Sequence, residues 1–240
     1  PPSEPDLRRT WLFGPGAGAD AHEAMRSSGA DALIVDLEDF TPPMRREEAR
    51  RGLVMLLKGW RDAGCFTAVR INALETDGPI DLAAAMPARP DVIAYPMAAS
   101  AAQMHALHAT ITHWEAIVGI AAGATEILPV CETAVGVVDV RDRRGSSRIR
   151  SALLGAEDLA ADLCAERHPN AVELDHSRRR FVLVCRAAGI EPIDAPYTFG
   201  DVDGAGDPCL MREDAVALNV MQMSMEAEQA QPKWSILWRQ

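Results

Sequence analysis

The chain has 240 residues, of which 48% are hydrophobic and 25% are charged, so it has the composition of a globular protein and not of a disordered or fibrous one. It carries 24 basic and 35 acidic side chains, and this net charge of −11 disfavours binding to nucleic acid or to an anionic membrane. The length suits one domain. We therefore expect a single domain over residues 1–240, with residues 1–7 as a flexible start.

The cysteines and the apolar stretches predict a cytoplasmic protein. The five cysteines are widely spaced and form no CxxC pair, which is typical of reduced thiols and argues against a zinc site. The start of the chain has no apolar signal core. The uncharged segment 92–114 contains Pro96, Ser100 and Gln103, so it is interpreted as a buried strand and a helix and not as a membrane span.

Short apolar runs alternate with helical stretches along the chain. The runs are Trp11–Phe13, Ala32–Val35, Phe66–Val69, Val92–Tyr95, Ile127–Val130, Ser151–Leu154 and Ile190–Ile193, with a possible eighth at Trp234–Trp238. Most are followed by an amphipathic segment, as over 20–28 and 45–57. This alternation predicts an α/β protein with a parallel sheet, and about eight such units in this length favour a TIM (β/α)8 barrel. The chain has no GxGxxG or GxxxxGK[ST] motif after a strand, which weakens a nucleotide-binding fold.

Polar side chains follow the predicted strands where those strands end: Asp36, Glu38, Arg70, Glu132, Asp158 and Asp194. One such carboxylate by itself is more often a helix cap than a functional group. In a parallel barrel, however, the carboxyl ends of the strands converge on one mouth, where active sites are built. Several carboxylates in one layer repel each other unless a cation or a substrate lies among them.

This set of residues suits a metal-assisted reaction of an oxo acid. Glu132 and Asp158 are the best pair for Mg²⁺, and Arg70 offers a planar fork for a carboxylate. Such a site stabilises the enolate that forms when a carbon–carbon bond next to a carbonyl breaks. A lysine imine is disfavoured, because Lys58 and Lys233 are the only lysines and neither is expected at the mouth.

Three other groups are interpreted as mainly structural. They are the histidines 105, 108 and 113, the arginines 141, 143, 144, 148 and 150, and the arginines 178–180. We expect the histidines on a packed or solvated helix, the first arginine group on an exposed loop, and the second on a solvated helix face. An anionic partner or cofactor at the first arginine group remains the alternative.

The strand-end motifs resemble the citrate lyase β-subunit-like branch of the HpcH/HpaI aldolase superfamily. The matching segments run in family order across residues 8–204: RRTWLFGPG at 8–16, DALIVDLED at 31–39, VRIN at 69–72, ETAVG at 132–136, GAEDLAAD at 155–162 and RAAGIEPID at 186–194. The resemblance implies a Mg²⁺-dependent TIM barrel that cleaves citryl-, citramalyl- or malyl-thioesters into a 2-oxo acid and a short acyl thioester. The acyl carrier would be coenzyme A or an acyl carrier protein.

The resemblance also implies roles for individual residues. Arg70 would grip the oxo-acid carboxylate, Glu132 and Asp158 would hold the metal, Ala156 and Glu157 would face the oxo acid with their backbone, and Asp36 and Glu38 would orient Arg70 or metal-bound water. The base is either that water or one of the acids at 36–39. Two other functions stay open: a class II aldolase acting on a free 2-oxo-3-deoxy or 4-hydroxy-2-oxo acid, and a non-catalytic homologue that binds oxo acids.

The chain departs from the family pattern in several places. Asp39 stands where the free-acid aldolases have histidine, which favours the thioester branch. Met97 replaces a lysine at the mouth, Arg46 replaces another lysine, and the family ending is degenerate over 232–240. The short C-terminus implies a barrel without the lid domain of longer relatives. Because Trp234, Ile236 and Trp238 share one strand face, we also expect a homo-oligomer with this face in the subunit contact.

Overall fold

The computed structural model describes residues 8, 10–140, 147–168 and 171–195, and the backbone of 222–224. Its eight parallel strands are β1 (Thr10–Pro15), β2 (Ala32–Asp36), β3 (Phe66–Arg70), β4 (Val92–Tyr95), β5 (Glu126–Cys131), β6 (Ser151–Leu154), β7 (Glu191–Ile193) and β8 (Gln222–Ser224). Their order in the sheet is β7-β6-β5-β4-β3-β2-β1-β8. Consecutive parallel strands joined by helices confirm the predicted α/β fold of the TIM-barrel type.

The helices lie between the strands, as the periodicity predicts. They are α1 (Ala19–Ser27), α2 (Arg46–Asp62), α3 (Gly78–Ala85), α4 (Ala101–Val118), α5 (Ala134–Val138), α6 (Ala156–Asp162) and α7 (Asp175–Ala188). A complete capping box starts α4, where Ser100 accepts from the Gln103 N–H and the Gln103 side chain accepts from the Ser100 N–H. Within the described part of the chain, no helix has both the length and the hydropathy needed to span a membrane.

The predicted strands agree with the structure except at the end of the chain. Gln222–Ser224 occupies the free edge of β1, where it pairs with Thr10–Leu12. The segment Trp234–Trp238, predicted as the eighth strand, lies outside the described residues, as do residues 1–7 and the arginines 141, 143 and 144.

Side-chain alternation along the strands separates two apolar cores. One lies inside the curled sheet, and its buried members are Trp11, Phe13, Ala32, Ile34, Phe66, Ala68, Val92, Ala94, Leu128, Val130, Leu153 and Ile193. The larger core lies between the sheet and the helices and contains the alternate strand residues. The same alternation, continued by one step at the carboxyl ends of β2, β3 and β5, turns Asp36, Arg70 and Glu132 to the inside.

Arg148 corrects the prediction that the arginine group before β6 is wholly exposed. It is buried, and two of its nitrogens contact the two carboxylate oxygens of Glu115 on α4, each at 2.6 Å. Further bonds of Arg148 go to Thr112, to the ring of His108 and to the Thr125 carbonyl. The buried carboxylate of Glu115 requires a buried cation, and Arg148 supplies it.

Arg178 and Asp194 correct two further predictions. Arg178, expected on a solvated face, is buried in α7 and forms a two-point ion pair with Asp194 just after β7. Asp194 was expected among the acids of the mouth, but this ion pair neutralises its charge. The pair fastens α7 to the end of its strand.

Candidate active site

Arg70 is held rigidly at the carboxyl end of β3. Its Nε donates to Asp36 Oδ1 at 2.8 Å and its Nη2 to Asp36 Oδ2 at 2.6 Å, from the position directly opposite on β2. The rings of Phe13 and Phe40 lie 5.1 and 5.8 Å from its guanidinium carbon. A bidentate ion pair and two aromatic rings therefore fix the orientation of this buried side chain.

Two further carboxylates contact the outer edge of the same guanidinium. Glu38 Oε2 lies 2.9 Å from Nη1 and Asp39 Oδ2 lies 3.6 Å from Nη2. Glu38 Oε2 is buried and has no hydrogen bond of good geometry in the described structure. Because Asp36 occupies the Nε edge, an incoming carboxylate could use only the edge that Glu38 and Asp39 now contact. The fork of Arg70 is thus already partly occupied by acids of the segment 36–39, two of which, Asp36 and Glu38, are expected from the sequence to orient Arg70 or metal-bound water.

Glu132 follows β5 and is enclosed by its neighbours. Its Oε1 accepts a short hydrogen bond from the Met97 N–H, and Met97 holds this N–H in place with a left-handed backbone (φ 46°). A Cβ added at Gly155 would lie 2.6 Å from Glu132 Cβ and 2.7 Å from Oε2. Glycine at position 155 therefore makes room for the carboxylate.

The residues of α6 lie at the same end of the sheet with different exposures. Ala156, the first residue of the helix, is buried, whereas Glu157 and Asp158 are exposed. The Glu157 carboxylate turns to Arg167, whose Nε is 3.3 Å from Oε1. Asp158 is close enough to Glu132 to raise the pKa of that residue.

The electrostatics join these residues into one acidic cluster. The pKa of Glu132 is raised to about 7, because burial, with smaller effects of Asp158 and Asp39, outweighs the opposing effects of the Met97 N–H and Arg70. Burial likewise raises the pKa of Glu38 to about 8, with Arg70 opposing and Asp39, Asp36 and Glu132 adding to the rise. Carboxylates with such raised pKa values are stabilised in their charged form by an added cation.

The donor set fits Mg²⁺ in chemistry and in charge. The described residues contain no group of three or more His, Cys, Asp or Glu arranged to hold an ion. Mg²⁺ in proteins commonly takes only one or two carboxylates and completes its shell with water and substrate oxygens. Glu132 and Asp158, one βα unit apart, provide two such carboxylates. The room left by Gly155 and the raised pKa of Glu132 agree with this fit.

Several residues around the candidate site were not identified from the sequence. They are Phe13, Phe40, Gly155, Asn72 and Asp81. Asp81 did leave a signal, because it is the only charged residue of the otherwise apolar α3. Met97 is expected at the mouth, in place of a family lysine, but its left-handed backbone cannot be recognised from residue type.

The fold and the acidic mouth define a parallel β/α barrel suited to a divalent cation and a carboxylate ligand. The chain belongs to the HpcH/HpaI aldolase/citrate lyase family, whose model matches residues 9–206. It is 34% identical over 196 residues to a citrate lyase subunit beta of Leuconostoc mesenteroides subsp. cremoris, covering 80% of this chain and 64% of the relative. It is 30% identical over 230 residues to an L-malyl-CoA/beta-methylmalyl-CoA lyase of Cereibacter sphaeroides, covering 85% of this chain and 70% of that enzyme.

A solved structure has a similar fold over nearly the whole chain. It is the citrate lyase beta subunit from M. tuberculosis complexed with oxaloacetate and magnesium, with a TM-score of 0.74 and 26% identity, covering 97% of both chains. By sequence, this chain spans about two thirds of the length of the curated relatives it matches, 64% for the Leuconostoc protein.

Proposed function

We propose that this chain is a Mg²⁺-dependent carbon–carbon lyase that splits a citryl-, citramalyl- or malyl-thioester into a 2-oxo acid and a short acyl thioester. The observation that carries the proposal is the cluster of Arg70, Asp36, Glu38 and Glu132 in one mouth, next to Asp158. The names of the relatives, citrate lyase and malyl-CoA lyase, support the same chemistry.

Glu132 and Asp158 would hold the metal in this proposal. Bound Mg²⁺ supplies Lewis-acid stabilisation of negative charge on the oxygens of an oxo acid. Glu132 is aimed by the Met97 N–H, and Asp158 lies in the first turn of α6. The backbone at Ala156 and Glu157 would face the oxo acid.

Arg70 would bind the carboxylate of the oxo acid through Nη1 and Nη2. Asp36 keeps the Nε edge and so sets the angle of the fork. Glu38 must withdraw from Nη1 when the substrate carboxylate arrives, because both anions need the same position. Its raised pKa makes this withdrawal easier, since a protonated Glu38 binds Arg70 less strongly.

The cleavage requires one proton acceptor and one proton donor. The substrate hydroxyl loses its proton, the bond between its carbon and the thioester α-carbon breaks, and the electron pair of that bond moves to the thioester enolate. A proton then adds to the α-carbon. Glu38 lies beside Arg70 and has a pKa raised to about 8. It is therefore suited to accepting or donating one of these protons near neutral pH.

The acyl carrier in this proposal is coenzyme A or an acyl carrier protein, and the protein works as a homo-oligomer. The malyl-CoA lyase among the relatives favours coenzyme A. The oligomer rests on the segment Trp234–Trp238, which lies outside the described residues. It stays a prediction that light scattering can test.

An activity screen tests the function. Citramalyl-, malyl- and citryl-CoA are incubated with the protein and Mg²⁺, and the release of pyruvate, glyoxylate or oxaloacetate is followed. We expect turnover of at least one thioester that stops when EDTA removes the metal. Cleavage of a free 4-hydroxy-2-oxo acid without cleavage of any thioester would favour the aldolase alternative. Binding of the oxo acid without any turnover would favour a non-catalytic homologue.

A further inference from the structure

Asp81 on α3 is a buried charge whose position the proposed chemistry does not explain. Its side chain is fully buried in a helix that is otherwise apolar, behind the mouth and not within it. A buried carboxylate is costly unless it is paired and hydrogen-bonded. Its partners therefore show what it stabilises.

Both oxygens of Asp81 accept hydrogen bonds from groups near the mouth. Oδ2 accepts from the Asn72 backbone N–H at 2.8 Å and from Asn72 Nδ2 at 2.7 Å. Oδ1 accepts from Arg50 Nε at 2.8 Å. The carboxylate thus joins α2, α3 and the loop that follows β3.

The first path from Asp81 reaches the backbone next to Glu38. Asn72 Nδ2 also donates to the Leu37 carbonyl at 2.9 Å, and the Leu37 N–H donates to the Arg70 carbonyl at 2.9 Å. Two side-chain bonds therefore connect Asp81 to the main chain between Asp36 and Glu38.

A second path reaches the same loop one residue further along. Arg50 Nη2 donates to Asp77 Oδ2 at 2.9 Å, and Arg46 Nη1 lies 3.6 Å from the same oxygen. Arg46 Nη2 in turn donates to the Glu38 carbonyl at 3.2 Å. The two paths hold consecutive carbonyl groups, at Leu37 and Glu38, and Arg50 joins them by binding both Asp77 and Asp81.

We infer that Asp81 is a positioning residue, which holds the segment Leu37–Glu38 in place and through it the carboxylates that surround Arg70. Its effect on ligand binding rests on the proposed function, whereas its effect on the loop does not. In this arrangement Asp81 never touches substrate. It sets where Asp36 and Glu38 meet the guanidinium.

The test compares Asp81→Asn with Glu115→Gln in the full chain. Glu115 is an equally buried carboxylate paired with arginine, but it lies at the opposite end of the barrel. Both substitutions keep the volume of the side chain and remove its charge, so both are expected to lower the free energy of unfolding. Chemical denaturation establishes that each variant is folded before the other measurements are made.

Hydrogen exchange and pyruvate affinity then separate positioning from stability. In Asp81→Asn, we expect faster exchange of the amides at 37–41 and an affinity for pyruvate, with Mg²⁺ present, reduced by about tenfold or more, because small displacements of a binding group are costly. In Glu115→Gln, faster exchange should appear at 123–125, with pyruvate affinity unchanged. If Asp81→Asn does not fold, Asn72→Ser replaces it, since serine loses the bond to the Leu37 carbonyl and keeps the backbone N–H.

Two outcomes overturn the inference. One is a folded variant in which exchange at 37–41 matches the wild type. The other applies when the wild type binds pyruvate. It is faster exchange at 37–41 in a variant whose affinity for pyruvate equals that of the wild type. If the wild type binds none of pyruvate, glyoxylate and oxaloacetate with Mg²⁺, the proposed function fails, and the exchange data still decide whether Asp81 holds the loop.

Discussion

The two ends of the barrel each bury an arginine among carboxylates, but their charge balance differs. At the amino end of β5, Arg148 pairs with the carboxylate of Glu115. At the carboxyl end of β3, Arg70 faces Asp36, Glu38 and Asp39 together. The Arg148–Glu115 pair is balanced in charge, whereas the cluster around Arg70 carries an excess of acid.

The pKa values show the consequence of this difference. Burial acts to raise the pKa of Glu115, but the hydrogen bonds from Arg148 and from the Thr125 and Gly123 N–H groups lower it below its ordinary value. Burial raises the pKa values of Glu38 and Glu132, and one arginine cannot offset the neighbouring acids. A charge-balanced buried pair serves the fold, whereas an excess of buried carboxylates favours the binding of a cation or a proton.

Asp158→Asn should nearly abolish Mg²⁺ binding, because it removes one of two proposed metal ligands. We expect a loss of more than about 100-fold in affinity, beyond the roughly 10–100-fold that loss of an outer partner costs. Calorimetry with Mg²⁺ and pyruvate measures it. Asp20→Asn is the control, since Asp20 is also exposed in the first turn of a helix, α1. Unchanged Mg²⁺ binding in Asp158→Asn would place the metal elsewhere.

Arg70→Lys should weaken oxo-acid binding by about 1–3 kcal/mol, because lysine keeps the charge and loses the planar fork. It should also lower the free energy of unfolding, since the bidentate contact with Asp36 is lost. Arg148→Lys loses a similar buried contact at the other end of the barrel. It should therefore lower stability without changing oxo-acid affinity. Equal oxo-acid affinity in the two variants would remove Arg70 from the binding site.

The metal-free protein should become less stable as the pH rises from 4.5 towards 8. Glu38, which faces Arg70, Asp36, Asp39 and Glu132, is protonated in the folded protein and ionised in the unfolded chain over this range. The folded state thus binds more protons, and the free energy of unfolding falls with pH. One partly exposed group contributes less than about 1.4 kcal/mol per pH unit. Glu38→Gln should flatten the slope in urea unfolding between pH 5 and pH 8. A slope unchanged by this substitution would contradict the raised pKa.

Met97→Gly should change little, because it keeps the N–H that binds Glu132 and relieves a left-handed backbone. We expect a free energy of unfolding within about 1 kcal/mol of the wild type and an unchanged Mg²⁺ affinity. Ala171→Gly is the matched control for the effect of backbone strain on stability, because Ala171 also has a left-handed backbone (φ 50°) and lies in another part of the chain. A large loss of Mg²⁺ affinity only in Met97→Gly would show that the methionine side chain itself supports the site.

Local sequence pattern predicts the strands in chain order and the polar residues at their ends. Apolar runs of three to five residues can be recognised locally, and the convergence of parallel strands then places Asp36, Arg70 and Glu132 at one mouth. The motifs of the family supplied the proposed roles. These inferences needed only local pattern and the known geometry of a barrel.

Which charges are paired cannot be read from local pattern, because the pairing depends on tertiary packing. Arg178 and Asp194 are sixteen residues apart and Arg148 and Glu115 thirty-three, and each arginine resembled a surface residue in its local pattern. The same holds for Asp81, whose contacts with Asn72 and Arg50 depend on the packing of α2 and α3 against the loop after β3. Whether a charge is buried and neutralised depends on residues distant in sequence, and the fold alone brings those residues together.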